Sequence, residues 1–92
     1  MTQRYGGTFI AELWKYPGPG GWHFAPVPDE YAPPVTHAWG RSPVRATVDG
    51  HTWQTSVWRD TKTQRTLLAV PKRVRGAKGH GDRVTVSLEF SL

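Results

Sequence analysis

Ten glycines and eight prolines punctuate the 92-residue chain, and the apolar residues between them alternate with period two instead of recurring every 3.6 residues. That pattern marks an all-β chain. In the first run, Phe9, Ala11 and Leu13 share one face of a strand and Ile10, Glu12 and Trp14 the other, with an end near Tyr16. Pro17-Gly18-Pro19-Gly20-Gly21 has little side chain to pack and two fixed φ angles, so it is a loop into a second strand, Trp22 to Val27. Pro26 and Pro28 place that strand at an exposed edge, because proline gives a ladder no N–H. Asp29 to Pro34 suits one helical turn, and the stretch up to Pro43 reads as connection.

The second half is more regular. Val44, Ala46 and Val48 alternate with Arg45 and Thr47 before Asp49-Gly50, a pair suited to a two-residue turn with positive φ at both positions, and His51 to Trp58 returns as the next strand. A polar tip, Arg59 to Gln64, precedes a strand over Thr66 to Val70, and the last strand runs from Arg83 to Phe90 with Val84, Val86, Leu88 and Phe90 inward. Between those two, Pro71 starts a single helical turn that Gly76 ends, and Gly81-Asp82 turns the chain back. Six strands result. A chain of this length holds one domain, residues 1–92, and buries only about 60 to 65 % of its unfolded surface, so large aromatics carry much of the burial.

The two halves echo each other. Phe24-Ala25-Pro26-Val27-Pro28 corresponds to Leu67-Leu68-Ala69-Val70-Pro71, strand Thr8 to Leu13 to Thr52 to Val57, and Val44 to Val48 to Val84 to Leu88. Each half reads strand, strand, proline-started turn, strand. Thr8-Phe9-Ile10-Ala11-Glu12-Leu13, Gly21-Trp22-His23-Phe24, Trp39-Gly40 with Pro43 to Gly50, Trp53-Gln54-Thr55-Ser56-Val57, and Val70 to Arg75 with Gly81-Asp82-Arg83-Val84 together resemble a bacterial family, the domain of unknown function 1905, found alone or beside YdeI/OmpD-associated domains. The resemblance covers nearly the whole chain and implies a small closed six-stranded barrel of the double-split type, built from two pseudo-repeated halves with one or two short helical turns. It implies no established activity. The link from Arg75 to Gly81 is shorter and richer in glycine than the helix usual there. Val70 to Arg75 with Gly81 to Val84 also resembles the core of AbrB-type DNA-binding regulators, which are double-split barrels made from two chains. Shared folds do not transfer function.

Net charge is +5, and it is unevenly placed: residues 41–92 carry ten basic and four acidic side chains. Lys72, Arg73, Arg75 and Lys78 crowd seven positions without an acid, with Arg45, Arg59 and Arg65 adding to the field. Exposed cations beside aromatic faces suit an anionic ligand; the same cations also serve as a solvated cap that keeps a small barrel soluble. Trp22 and Trp53 lie on alternating runs and are expected in the core. Trp14, Trp39 and Trp58 either cap the barrel ends or line a ligand groove with the basic segment.

Zero cysteines exclude disulfides, thiol nucleophiles and iron–sulfur ligation. His23, His37, His51 and His80 are too far apart in sequence to place two metal ligands on one element, and Asp49, Asp60 and Asp82 stand at turns where short acceptors cap the backbone. No nucleophile has a base at readable spacing, and neither glycine-rich stretch has the strand-to-helix context of a phosphate loop. The expectation is therefore a cytoplasmic binding or accessory module, not an enzyme, without metal or cofactor. Its partner would be an anionic small ligand or a protein, with nucleic acid as the alternative, no membrane, and a monomer or weak dimer as the assembly.

Overall fold

The computed structural model describes residues 4–33 and 40–91. Trp39 and His37, named above, lie outside the described residues. Seven strands follow in order: β1 (Arg4–Glu12), β2 (Trp14–Lys15), β3 (His23–Val27), β4 (Arg41–Val48), β5 (His51–Asp60), β6 (Arg65–Ala69) and β7 (Arg83–Ser91). A 3-10 turn, Asp29–Tyr31, follows β3, and a single turn of helix, α1 (Lys72–Arg75), follows β6. The strands form one antiparallel sheet in the order β1-β7-β4-β5-β6-β3-β2, curled into a half-barrel.

Period-two alternation supplies the inside of the curl. Phe9 and Ala11 from β1, Ala25 and Val27 from β3, Val44, Ala46 and Val48 from β4, Val57 from β5, Leu68 from β6 and Val84, Val86, Leu88 and Phe90 from β7 pack into one core. Val70 and Val74, either side of Pro71, close one end, and Tyr31 stacks on Phe9 with ring centroids 5.2 Å apart. Between β4 and β5, Asp49 and Gly50 take φ of 47° and 89°, the double positive φ that matches strand twist in a two-residue turn. Gly6 has φ of 133°, and a Cβ there would lie 1.9 Å from the Leu88 carbonyl oxygen, so β1 approaches β7 more closely than any side-chain-bearing residue allows. Pro26 and Pro43 each occupy a strand position with a ladder on one side only, since β2 pairs only as far as Phe24 and β7 pairs with β4 only from Arg45 onward.

The structure corrects the expected closed six-stranded barrel. The first strand is broken at Leu13, whose N–H donates to the Asp82 carbonyl at 2.8 Å and whose carbonyl accepts from the Gly81 N–H at 2.9 Å. Leu13 is thereby held by the turn before β7, while β1 pairs with β7 and β2 with β3. The sheet therefore counts seven strands with β1 and β2 at its two ends, joined through that one residue rather than by a ladder. β4 also begins at Arg41, earlier than Val44, because Pro43 faces the side where β7 has no pairing partner for it. Trp53 packs against the core as expected, but Trp22 is 53 % exposed, since it precedes β3 and lies on the outer side of the sheet.

Leu68 is fully enclosed opposite Ala25 in the β3–β6 pair. Leu68→Ala is expected to lower unfolding free energy by about 2 to 5 kcal/mol in a urea titration. Lys62→Ala, at an exposed tip, is expected to stay within about 0.5 kcal/mol of the parent.

Candidate functional site

The alternation that turns Leu13, Ala25, Val57 and Leu68 inward turns their neighbours Trp14, Phe24, Trp58 and Leu67 outward. Register then brings these four together. Trp14 sits opposite Phe24 in the β2–β3 pair, and Trp58 opposite Leu67 in the β5–β6 pair. Phe24 becomes the centre of a ring cluster on the outer face, with centroids 5.9 Å from Trp14, 6.4 Å from Trp58 and 6.4 Å from Trp22, the last stacked at 12°. Tyr16 joins edge-on, 6.0 Å from Trp14 and 6.5 Å from Phe24. Its backbone N–H donates to the Trp22 carbonyl at 2.8 Å, which closes the Pro17 to Gly21 loop and sets both rings at its base.

The cluster floors an open cleft of about 320 Å³, lined by Trp14, Tyr16, Phe24, Trp58 and Leu67, with Arg59 and Lys62 on its rim. Phe24 and Leu67 are buried beneath the others, whereas Tyr16 and Trp58 remain 43 % and 44 % exposed. Arg65 reaches to 6.0 Å from the Trp14 ring centroid, the separation of a cation–π contact. Asp60 is the one acid lining the cleft among the described residues, and its carboxylate accepts from the Thr63 hydroxyl at 2.7 Å and the Lys62 N–H at 3.2 Å. Those hydrogen bonds, that of Thr63 foremost, hold the Asp60 carboxyl below its ordinary value, so it caps the β5–β6 turn as an anion. Arg59 also approaches Asp29 at 3.5 Å, an exposed pair that leaves the guanidinium accessible from solvent. The outcome is an apolar, ring-built floor with three cations beside it.

Of the residues singled out in the sequence, Trp14 and Trp58 meet around Phe24, whereas the basic segment divides. Val74 anchors α1 in the core and leaves Lys72 and Arg73 exposed. Arg75 donates from Nη1 to the Lys78 carbonyl at 3.4 Å, and its buried Nε has no partner among the described residues. Lys78 is a structural brace: its Nζ donates to Asp49 Oδ2 at 2.8 Å and to the Arg83 carbonyl at 2.7 Å. Asp49 Oδ1 in turn accepts from the Thr85 N–H at 2.9 Å, tying the β4–β5 turn to β7. Tyr16, Phe24, Arg59 and Lys62 line the cleft beside Trp14 and Trp58, with Trp22 stacked on Phe24 and Arg65 over Trp14, none of the six having been assigned to a site. For Tyr16, Trp22, Phe24 and Arg65 the signal was the outward parity they share with Trp14 and Trp58; Arg59 has the opposite parity and Lys62 lies in the turn.

Two histidines serve local structure. His80 Nδ1 accepts from the Lys15 N–H at 3.0 Å, and His23 Nδ1 lies 2.8 Å from the Gly21 carbonyl oxygen. Among the described residues no three His, Asp or Glu side chains are grouped to hold a metal ion. No helix among them is long and apolar enough to cross a membrane.

Comparison with known families matches residues 9–88 to the model of a domain of unknown function, DUF1905. The chain belongs to the DUF1905 family. No curated protein matches it at a significant level. The matched span includes every ring of the cleft and runs from the start of the β1 core face to Leu88 in β7.

The Lys78 hydrogen bond, then that of Thr85, lowers the Asp49 carboxyl below its ordinary 3.8. A carboxyl depressed by folding contributes stability above its unfolded value and loses it as pH falls through the folded value. The stability difference between the parent and Asp49→Asn is thus expected to be full at neutral pH and to vanish in acid below 3.8. Its neutral-pH size should be about 1 kcal/mol or less, given the partial exposure of both side chains, read from thermal melts across pH.

Proposed function

We propose that this DUF1905 chain is a non-catalytic binding module on a double-split barrel plan, and that it takes an anionic ligand carrying a flat ring in the outer cleft. The pairing supports the architectural part. Carrying Thr8 onto Thr52, Pro28 onto Pro71 and Val44 onto Val84 maps every ladder onto another or onto itself: Phe9–Val86 becomes Trp53–Ala46, Trp14–Phe24 becomes Trp58–Leu67, and Phe24–Ala69 becomes Leu67–Pro26. Ala25–Leu68 and Thr47–Ser87 map onto themselves, so a pseudo-twofold axis would pass through those two pairs. Even the hydroxyl contact of Thr8 with Ser87, 2.8 Å, has its counterpart in Thr52 with Thr47, also 2.8 Å.

The observation that carries the binding reading is the joining of an aromatic floor to Arg59 and Lys62 at one cleft, with Arg65 over the Trp14 ring beside it. Rings supply contact area at low entropy cost, and the cations select negative charge. Asp60, the acid in the cleft, is committed to its turn and is no free base. A second reading, nucleic-acid binding through the basic segment, is favoured by the exposure of Lys72 and Arg73 on α1.

Quenching of tryptophan fluorescence by 1-naphthyl phosphate, 1-naphthol and inorganic phosphate tests the proposal. Naphthyl phosphate should bind at least tenfold tighter than either half alone, and Trp58→Ala should weaken it about tenfold, the size of one lost stacking contact. Equal affinity for naphthyl phosphate and phosphate would overturn it.

A further inference from the structure

We infer that the class of ligand taken by the outer cleft is a single-stranded nucleic acid, an inference that rests on the cleft being the binding site. The first argument is the number of exposed rings. Trp22, Trp58 and Tyr16 are all substantially exposed around the buried Phe24, so the surface offers several platforms side by side rather than one enclosed slot. A small ligand would cover one of them. A strand with successive bases uses several, and every base has a face to stack.

The second argument is how the two halves differ at matching positions. The hydrogen-bonded pair Tyr16 and Trp22 beside β2–β3 corresponds to Asp60 and Arg65 in β5–β6, and Lys15–His23 corresponds to Arg59–Thr66. The β2–β3 side therefore carries most of the rings, Trp14, Tyr16, Trp22 and Phe24, with Lys15 matched to Arg59, while the β5–β6 side carries Arg59, Lys62 and Arg65 together with Trp58 and the turn-bound Asp60. Bases on one bank and phosphates on the other is the arrangement that a single strand needs, with its bases unstacked to one side of its backbone. Duplex hides the base faces that these rings would meet.

Charge decides against a second copy of the chain as the occupant. An isologous contact through this face would crowd Arg59, Lys62 and Arg65 of both copies into one interface, with Asp60 already bound within its turn, and like charges crowded there oppose association. The same cations favour a polyanion.

The test is fluorescence anisotropy of the whole chain with end-labelled dT12, an abasic 12-mer and a 12-base-pair duplex, over a salt series. Expected are tightest binding to dT12, a five- to hundredfold loss in Trp58→Ala and in Trp22→Ala, and a salt slope smaller by about 0.7 in each of Arg59→Gln and Arg65→Gln. Both tryptophans also cover Phe24, so thermal melts of each variant accompany the titration; the arginine variants test the inference even if a tryptophan variant fails to fold. Equal binding of dT12 and the abasic strand would overturn it, since cations alone would then explain affinity. Tighter binding of duplex, lost on replacing Lys72, Arg73 and Arg75 by Gln, would overturn it in favour of the basic segment. Binding of naphthyl phosphate without binding of dT12 would overturn this inference and leave the cleft as a small-ligand site; binding of neither would overturn both.

Discussion

The register of the β3–β6 pair, fixed where Ala25 meets Leu68, is the constraint on which the rest of the domain depends. Both residues are fully enclosed, and a slip of one position would turn Phe24 and Leu67 into the core and expel Ala25 and Leu68 to solvent. Small against large fits the narrow space between facing strands, whereas a phenylalanine there would overfill it. β2 and β5 take their register from this pair, which is why Trp14 and Trp58 arrive on the same outer face.

Core and cleft are thus two sides of one alternation. Aliphatic and small residues with Phe9, Phe90 and Trp53 fill the inside, while Trp14, Trp22 and Trp58 stand on the outer face, the reverse of what burial alone would choose for a small domain. A contiguous set of exposed rings costs solubility unless something covers or offsets it, and the neighbouring arginines and lysine provide that offset. At the other corner the charge does different work: Lys78 and Asp49 hold the β4–β5 turn to the start of β7, which keeps the barrel-like curl in shape where Leu13 passes from one ladder to the other.

Most strands could be read from alternation and turn residues, because Asp49-Gly50, Pro71 and Gly81-Asp82 have few conformations open to them. Strand β4 was harder, since Pro43 argues against a strand until the lack of a second partner there is known. The break at Leu13 left no trace in the sequence: its neighbours alternate without interruption, and only the contacts with Gly81 and Asp82 divide it from the flanking ladders. The site was half visible. Outward parity marked Trp14 and Trp58, and the echo between halves made them equivalent, but clustered charge drew attention to Lys72, Arg73, Arg75 and Lys78. Arg59, Lys62 and Arg65 are scattered around a turn, and only the fold gathers them beside the rings. Trp22 misled for a related reason, since a tryptophan next to a strand is ordinarily core and here extends a stack outside it.

Five tryptophans give five indole N–H reporters, two of them exposed at the ring cluster and Trp53 packed against the core. Two-dimensional 1H–15N spectra recorded while dT12 is added would test the assignment of function to the outer face most directly. Shifts confined to the indoles of Trp14, Trp22 and Trp58 and the backbone amides of Arg59, Lys62 and Arg65, with Trp53 and α1 unmoved, are the expected result. Shifts centred on Lys72 to Arg75 with the ring cluster unmoved would contradict it.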